Sequence, residues 1–264
     1  MRVLDIGAGS GILSLWALEA GAAHVDAIDN STIGTTLSAT FCANGFADRS
    51  TVHVAYSKQI EPASKADLVI SETLGHIGID EGILDTCADA RQRLMTDEAT
   101  FIPSAFDVVA WPVWVPDFEK KLNDFWLAKP YGFDFPELQQ LTRRMTYLTE
   151  TSYGQRISAS GVLARHTIGE APAETWHGKT TCAAEFPSLC NGFFLSFIAD
   201  LGQGIVCDGE RTTSWKVLFL PAPQVFDVKR HDSVGLEFTI PRTGNVRYSI
   251  QNAGAETMDV EISA

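Results

Sequence analysis

Residues 2–11 read RVLDIGAGSG, an apolar run that breaks into alternating glycines, and residues 12–21 continue as ILSLWALEAG. The first run suits a strand, and the apolar-periodic stretch after Gly11 suits a helix stopped by Gly21, with a tight glycine turn between them. AHVDAIDN (23–30) follows as a second strand ending in acids. TIGTTLSATFCANG (32–45) reads as a helix closed by Asn44-Gly45, and TVHVAY (51–56) and KADLVISE (65–72) as third and fourth strands. Strands alternating with helices at this spacing predict βαβ units and a parallel α/β sheet.

The texture changes near Pro103. FDVVAWPVWV (106–115), GVLARHTIG (161–169), GFFLSFIADLG (192–202), WKVLFLP (215–221), VGLEFTIP (234–241) and VRYSIQN (246–252) are short β-rich runs separated by turn residues. They predict an antiparallel barrel or sandwich. Residues 117–150, with DFEKKLNDFW and PELQQLTRRMTYL, read as helical and as an insertion. The expected division is therefore 1–103 and 104–264, in line with a chain of 264 residues.

Charged residues make up 20% of the chain and apolar ones 45%, with no run long enough to span a membrane and no signal-peptide pattern at the N-terminus. A cytoplasmic protein is expected. Cys42, Cys87, Cys182, Cys190 and Cys207 are odd in number and widely spaced, which fits reduced thiols rather than a disulfide framework or a zinc site. His24, His53, His166, His177 and His231 show no ligand spacing, so no metal is expected. A formal charge of −13 argues against nucleic acid and favours cationic partners.

Asp5, Gly7, Gly9 and Gly11 stand where strand becomes helix, so the backbone there can approach a ligand at a helix N-terminus. The spacing is GxGxG rather than the dehydrogenase GxGxxG, and an acid precedes the first glycine. A pyrophosphate would disfavour that carboxylate, whereas the ammonium and sulfonium of S-adenosylmethionine would favour it. Asp29, 22 residues after Gly7, closes the second strand where a carboxylate can accept from both ribose hydroxyls. Ser57-Lys58, just past the third strand, would border the adenine.

The fourth strand ends in Ser71-Glu72, and Glu81 follows nine positions after Glu72. In an open α/β sheet this end faces the ligand crevice, so Glu72 should point towards the methyl donor. The two carboxylates can converge only if Gly75 and Gly78 let the loop fold back. Converged, they need a cation between them, and a guanidinium has the best-matched fork of donors. His76 lies between them and reads as a loop histidine. Trp111, Trp114, Trp126 and Trp176 read as packing residues.

Here the sequence resembles the protein arginine methyltransferase family. The family's double-glutamate loop is matched by SETLGHIGIDEG (71–82), with Glu72 and Glu81 in the two glutamate places. VLDIGAGSGILS (3–14), FIP around Pro103, YGFDF (131–135) and TSW (213–215, where the family usually reads Thr-His-Trp) continue the match. The resemblance implies a Rossmann-like methyltransferase domain followed by an antiparallel β-barrel domain, with a helical dimerisation arm at about 117–165, and hence a homodimer. It implies S-adenosylmethionine as cofactor and gives Trp215 a place near the substrate. The Glu81-Gly82 pair looks more like the monomethylating branch.

Two departures go together. The family carries helices before its glycine motif, with a Tyr-Phe-x-x-Tyr segment that folds over the cofactor, and this sequence begins at the first strand. It is therefore read as lacking the lid helices, whether by truncation, by working without them or by no longer catalysing. The family histidine that pairs with an acid of those helices is Ser214 here. The leading expectation is methyl transfer to an arginine guanidine of a protein, peptide or small molecule. The alternatives are methylation of another amine or hydroxyl, and a catalytically weak cofactor-binding dimer that serves interaction.

Overall fold

The computed structural model describes residues 1–241, 245–252 and 257–262. Residues 1–106, 166–172 and 199–207 form one compact unit, and 107–165, 173–198 and 208–264 a second. In the first unit the opening apolar run becomes β1 (Arg2–Ile6), followed by α1 (Ile12–Glu19), β2 (His24–Ile28), α2 (Leu37–Ala43), β3 (Ser50–His53), β4 (Ala66–Ser71), α3 (Ile83–Arg93) and β5 (Met95–Ile102). The sheet order is β3-β2-β1-β4-β5, and all its pairings are parallel. The β1–β4 junction is where the winding reverses. That leaves a crevice beyond the carboxyl ends of those two strands.

Val3, Val25 and Ala27 share one core with Leu18 of α1 and with Leu37 and Phe41 of α2, all buried. Each large side chain removed from water there contributes about 1.5–3 kcal/mol. Two local expectations needed revision. The helix read over 32–45 is a 3-10 turn, Thr32–Thr36, leading into α2, because Gly34 lies against the Asp29 backbone where a Cβ would stand 2.7 Å from its carbonyl oxygen. β5 was not singled out because Thr96, Asp97 and Glu98 interrupt its apolar pattern. Its pairing with β4, from Leu68↔Thr100 to Ile70↔Ile102, makes it a strand.

The remaining strands, most of them in the second unit, are β6 (Ala105–Trp114), β7 (Tyr147–Thr149), β8 (Gln155–Arg156), β9 (Gly161–Thr167), β10 (Thr175–Ala183), β11 (Ser188–Gly202), β12 (Ile205–Asp208, all but its last residue in the first unit), β13 (Val217–Val228), β14 (Ser233–Pro241), β15 (Val246–Gln251) and β16 (Thr257–Ile262). One sheet runs β7-β13-β11-β6-β8, with β9 on β6 and β12 on β11, and the other runs β10-β14-β15-β16. Trp111, Phe118, Phe194 and Phe219 pack edge to face in the core of this unit, with centroids 5.1–6.1 Å apart.

The helical stretch expected to reach residue 150 ends earlier. Helical turns run through Pro116–Phe118, Glu119–Asn123 and Asp124–Leu127, and a separate helix covers Pro136–Thr142. From Tyr147 the chain is a strand, because β-branched and aromatic residues there pair with Val217–Phe219 of β13.

Asn191 sits at the register shift of β11 and is fully buried. Its Oδ1 accepts from the Val115 N–H at 2.9 Å, and its Nδ2 donates to the Val115 carbonyl at 2.9 Å and to Glu119 Oε1 at 3.0 Å. One side chain thus ties the end of β6 to the first helical turn. Asn191→Ala leaves the Val115 N–H buried without its partner and removes one donor each from the Val115 carbonyl and Glu119, which keep Phe118 N–H and Arg143, and is predicted to destabilise the protein by about 2 kcal/mol. Urea unfolding measures this, and an unchanged midpoint would contradict it.

Candidate active site

Three strand ends meet at the crevice edge. After β1 the chain turns through Gly7, Gly9 and Gly11, all with positive φ (80°, 53° and 85°). The Gly7 and Ala8 N–H groups both donate to the Ile28 carbonyl at 2.9 Å, which anchors the loop to the end of β2. Gly11 must be glycine twice over: its φ is left-handed, and a Cβ would meet Leu37 at 2.8 Å. It also stands as the N-cap of α1, the end at which a helix presents backbone N–H donors.

Asp29 follows β2. Its Oδ2 accepts from the Gly9 N–H at 2.8 Å, and its Oδ1 accepts from the Ser31 N–H at 2.8 Å and the Ser31 hydroxyl at 2.5 Å. Burial alone would raise this carboxyl, but the donors on Ser31 and Gly9 outweigh it and hold it below the usual range. Asp29 therefore braces the glycine loop while keeping lone pairs for a hydroxyl. Ser57 is buried in the turn after β3. Its carbonyl accepts from the Arg93 guanidinium at 3.1 Å, and Arg93 is itself paired with Asp89 at 2.6 Å.

Asp5 is fully enclosed. Its Oδ2 accepts from the Ser14 hydroxyl at 2.6 Å, while its Oδ1 is buried with no hydrogen-bond partner. Burial pushes the carboxyl up to about 6 against the hydrogen bonds from Ser14, and the charge of Asp29 pushes the same way. An orphaned buried oxygen beside an open glycine turn is what a cationic ligand group would satisfy.

The segment after β4 turns back on itself. The Ser71 hydroxyl donates to the Ile6 carbonyl at 3.1 Å, Gly78 N–H donates to the Gly75 carbonyl at 3.0 Å, and Gly75 and Gly78 form an isolated bridge. The folding back expected of these glycines is present. Glu72 is raised above the ordinary glutamate range by partial burial first, then by the charge of Glu81, then by that of Asp5. Asp5, Glu72 and Glu81 thus share one electrostatic neighbourhood, and Asp29 acts on it through Asp5. Trp215 belongs to the second unit, where its ring packs edge-on against Phe197 with centroids 5.1 Å apart.

Four neighbours of these residues escaped the sequence reading: Ser14, Ser31, Asp80 and Arg93. Ser31, two residues after the strand-end Asp29, carries a legible turn signal. The others depend on how the chain folds, since nothing local marks Ser14 or Arg93 as facing Asp5 or Ser57. Among the described residues no cluster of His, Cys, Asp or Glu is placed to hold a metal.

A parallel sheet with a glycine turn and acids at its carboxyl edge defines a Rossmann-like methyltransferase unit, and residues 1–105 match the family model for ribosomal protein L11 methyltransferase (PrmA). Protein arginine N-methyltransferase 1.1 of Arabidopsis thaliana is 35% identical over 274 aligned positions, covering 99% of this chain and 67% of the plant protein. Probable protein arginine N-methyltransferase 1.2 of the same plant is 37% identical over 133 residues, which cover 50% of this chain and 36% of that protein. The chain thus spans from about a third to two thirds of the length of these relatives. The Trypanosoma brucei PRMT1 enzyme–prozyme heterotetrameric complex with AdoHcy has a similar fold, with a TM-score of 0.89 at 20% identity over 99% of this chain and 88% of that one. Arabidopsis thaliana protein arginine methyltransferase 10 is similar at a TM-score of 0.80 and 19% identity, with the same coverage. The chain belongs to the protein arginine methyltransferase family.

The raised Asp5 carboxyl has a signed consequence. Between the ordinary aspartate value and about pH 6 the folded protein holds a proton that the unfolded chain releases, so stability falls as pH rises through that window. Above it the loss is on the order of 3 kcal/mol. Asp5→Asn is predicted to abolish this decline and to raise the stability of the ligand-free protein at pH 7.5. Denaturation at a series of pH values tests it, and a decline that persists in the variant would refute it.

Proposed function

We propose that this chain is an S-adenosylmethionine-dependent methyltransferase that methylates a guanidine nitrogen of arginine, carried by a protein, a peptide or a small molecule. The observation that carries the reading is the shared field of Glu72 and Glu81 on a folded-back loop at the crevice edge. Like-charged carboxylates held together favour a cation, and the planar guanidinium fork matches two of them. The relatives named for arginine methylation support the same acceptor.

The cofactor supplies a methyl group on a sulfonium. Gly7, Gly9 and Gly11 give close backbone approach, Asp5 offers its unpartnered oxygen to the cationic methionine end, Asp29 accepts from ribose, and the Ser57 turn borders the adenine. Glu72 and Glu81 orient the guanidinium and draw its charge to one side, leaving the other nitrogen lone-pair character for an in-line displacement. A proton leaves the methylated nitrogen to Glu81 or water. The TSW match assigns Trp215 a substrate-binding role by resemblance to the family. The five thiols are all free, which suits a cytoplasmic setting, and no helix among the described residues is long and apolar enough to cross a membrane.

Glu72→Gln and Glu81→Gln are each predicted to lower kcat/KM for arginine-rich peptides or free arginine at least about 100-fold, or some 3 kcal/mol, while S-adenosylhomocysteine binds within threefold of normal. Because Glu72 must be ionised and its carboxyl is raised, activity should fall with acid at a higher pH than an ordinary glutamate would give. Transfer of labelled methyl groups measures both. A Glu72→Gln variant that methylates normally would rule the mechanism out.

The working form is, on the same reading, a homodimer joined through the arm. Phe125, Leu127 and Phe133 are exposed there, and Tyr131 is 92% exposed at φ 58°, a backbone state a bulky residue holds only under constraint. Ile12, Trp16 and Ile33 are exposed apolar residues of the first unit and suit the receiving face. Leu127→Asp combined with Phe133→Asp is predicted to halve the mass seen by light scattering. A variant that keeps the wild-type mass would exclude the arm.

A further inference from the structure

Between Glu72 and Glu81 lie eight residues, and two like charges at the ends of an unsupported loop of that length would drift apart. The loop is supported at defined points. Asp80 turns its carboxylate inward: Oδ2 accepts from the His76 N–H and Oδ1 from the Ile77 N–H, both at 3.0 Å. Gly75 lies flush against that carboxylate, where a Cβ would stand 2.1 Å from Oδ1. Beneath the turn, Gly78 at φ 86° rests on Phe106, where a Cβ would meet the ring at 2.6 Å. Phe106 is itself buried and stacked on His166 with centroids 5.1 Å apart.

On the far side of Glu81, Gly82 caps α3 at φ 78°. Its carbonyl accepts from the Thr86 N–H at 3.1 Å, and the next residue, Ile83, is fully buried. Glu81 therefore stands between two fixed points, each one residue away. One is the helix cap, and the other is the Asp80 carboxylate.

We propose that Asp80 is the positioning residue of the paired glutamates: by binding the His76 and Ile77 N–H groups it closes the Gly75–Gly78 turn and holds Glu81 beside Glu72, at the acceptor's place. Asp80 touches no substrate in this role. It acts through the backbone that carries Glu81, and Gly75 is required because a side chain there would displace the carboxylate. The proposal rests on the guanidine reading for its catalytic consequence, and on geometry alone for its effect on the loop.

The test uses the whole chain with Asp80→Ala, Asp80→Asn, Gly75→Ala and the double variant Asp80→Ala with Gly75→Ala. Asp80→Ala is expected to lower kcat/KM for an arginine peptide about 10- to 100-fold, as a misplacement of about an ångström does, while the Kd for S-adenosylhomocysteine stays within twofold. Asp80→Asn should fall between, since its amide oxygen can serve one of the two N–H groups. Gly75→Ala should be damaging alone and add little on top of Asp80→Ala, because the clash is with the carboxylate itself.

Carbon NMR titration supplies a readout that needs no turnover. In Asp80→Ala the Glu72 midpoint should fall towards the ordinary glutamate value, since Glu81 is no longer held beside it. Wild-type acceptor kinetics in Asp80→Ala, cofactor affinity lost in proportion to activity, or fully additive Gly75→Ala and Asp80→Ala penalties would each overturn the proposal. If the wild-type chain methylates no guanidine, the guanidine reading fails. The Glu72 midpoint then decides alone whether Asp80 holds the pair, and an unchanged midpoint overturns it.

Discussion

Negative charge gathered at one edge of a parallel sheet is the constraint on which the first unit turns. Asp5 is buried with one oxygen unpartnered, Glu72 is pushed up by burial and by its neighbours, and Asp29 stays low only because Ser31 and Gly9 donate to it. The raised Asp5 and Glu72 carboxyls destabilise the ligand-free fold once ionised and favour a cation beside them, whereas the lowered Asp29 stabilises it. The hydrogen-bond donors to Asp5 and Asp29 are neutral, from Ser14, Ser31 and the Gly9 N–H.

The sheet order makes this possible. Because β1 lies between β2 and β4, the ends that carry the glycine turn, Asp29 and Glu72 are neighbours across a single crevice although Glu72 comes 67 positions after Asp5. Apolar packing of Leu18, Leu37 and Phe41 onto the strands holds those ends in register. The second unit is stabilised differently, by an edge-to-face aromatic core and by Asn191, whose hydrogen bonds join the end of β6 to the helical turns that follow it.

Much of this was legible in the chain. RVLDIGAGSG and the periodic run after it announce a strand, turn and helix, because an apolar run gives way to glycines that can take left-handed backbone and then to helical spacing, and the β-rich runs after Pro103 announce an antiparallel unit. Both hold in the structure. β5 and β10 were not legible, since polar residues break their alternation and only pairing to neighbours makes them strands. Tyr147–Thr149 shows the same effect from the other side: a run that continues a helical pattern is drawn into a sheet by β13.

The candidate site divides in the same way. Sequence by itself determined which carboxylates and glycines stand at strand ends, because strand periodicity and turn chemistry are local properties of the chain. Only the tertiary structure decided what those carboxylates experience. Ser14 against Asp5, Arg93 against Ser57 and Asp80 against the Gly75–Gly78 turn are contacts set by packing and loop closure. A carboxyl's charge state depends on desolvation and on neighbours brought in from elsewhere in the chain, and neither is a property of its own stretch of residues.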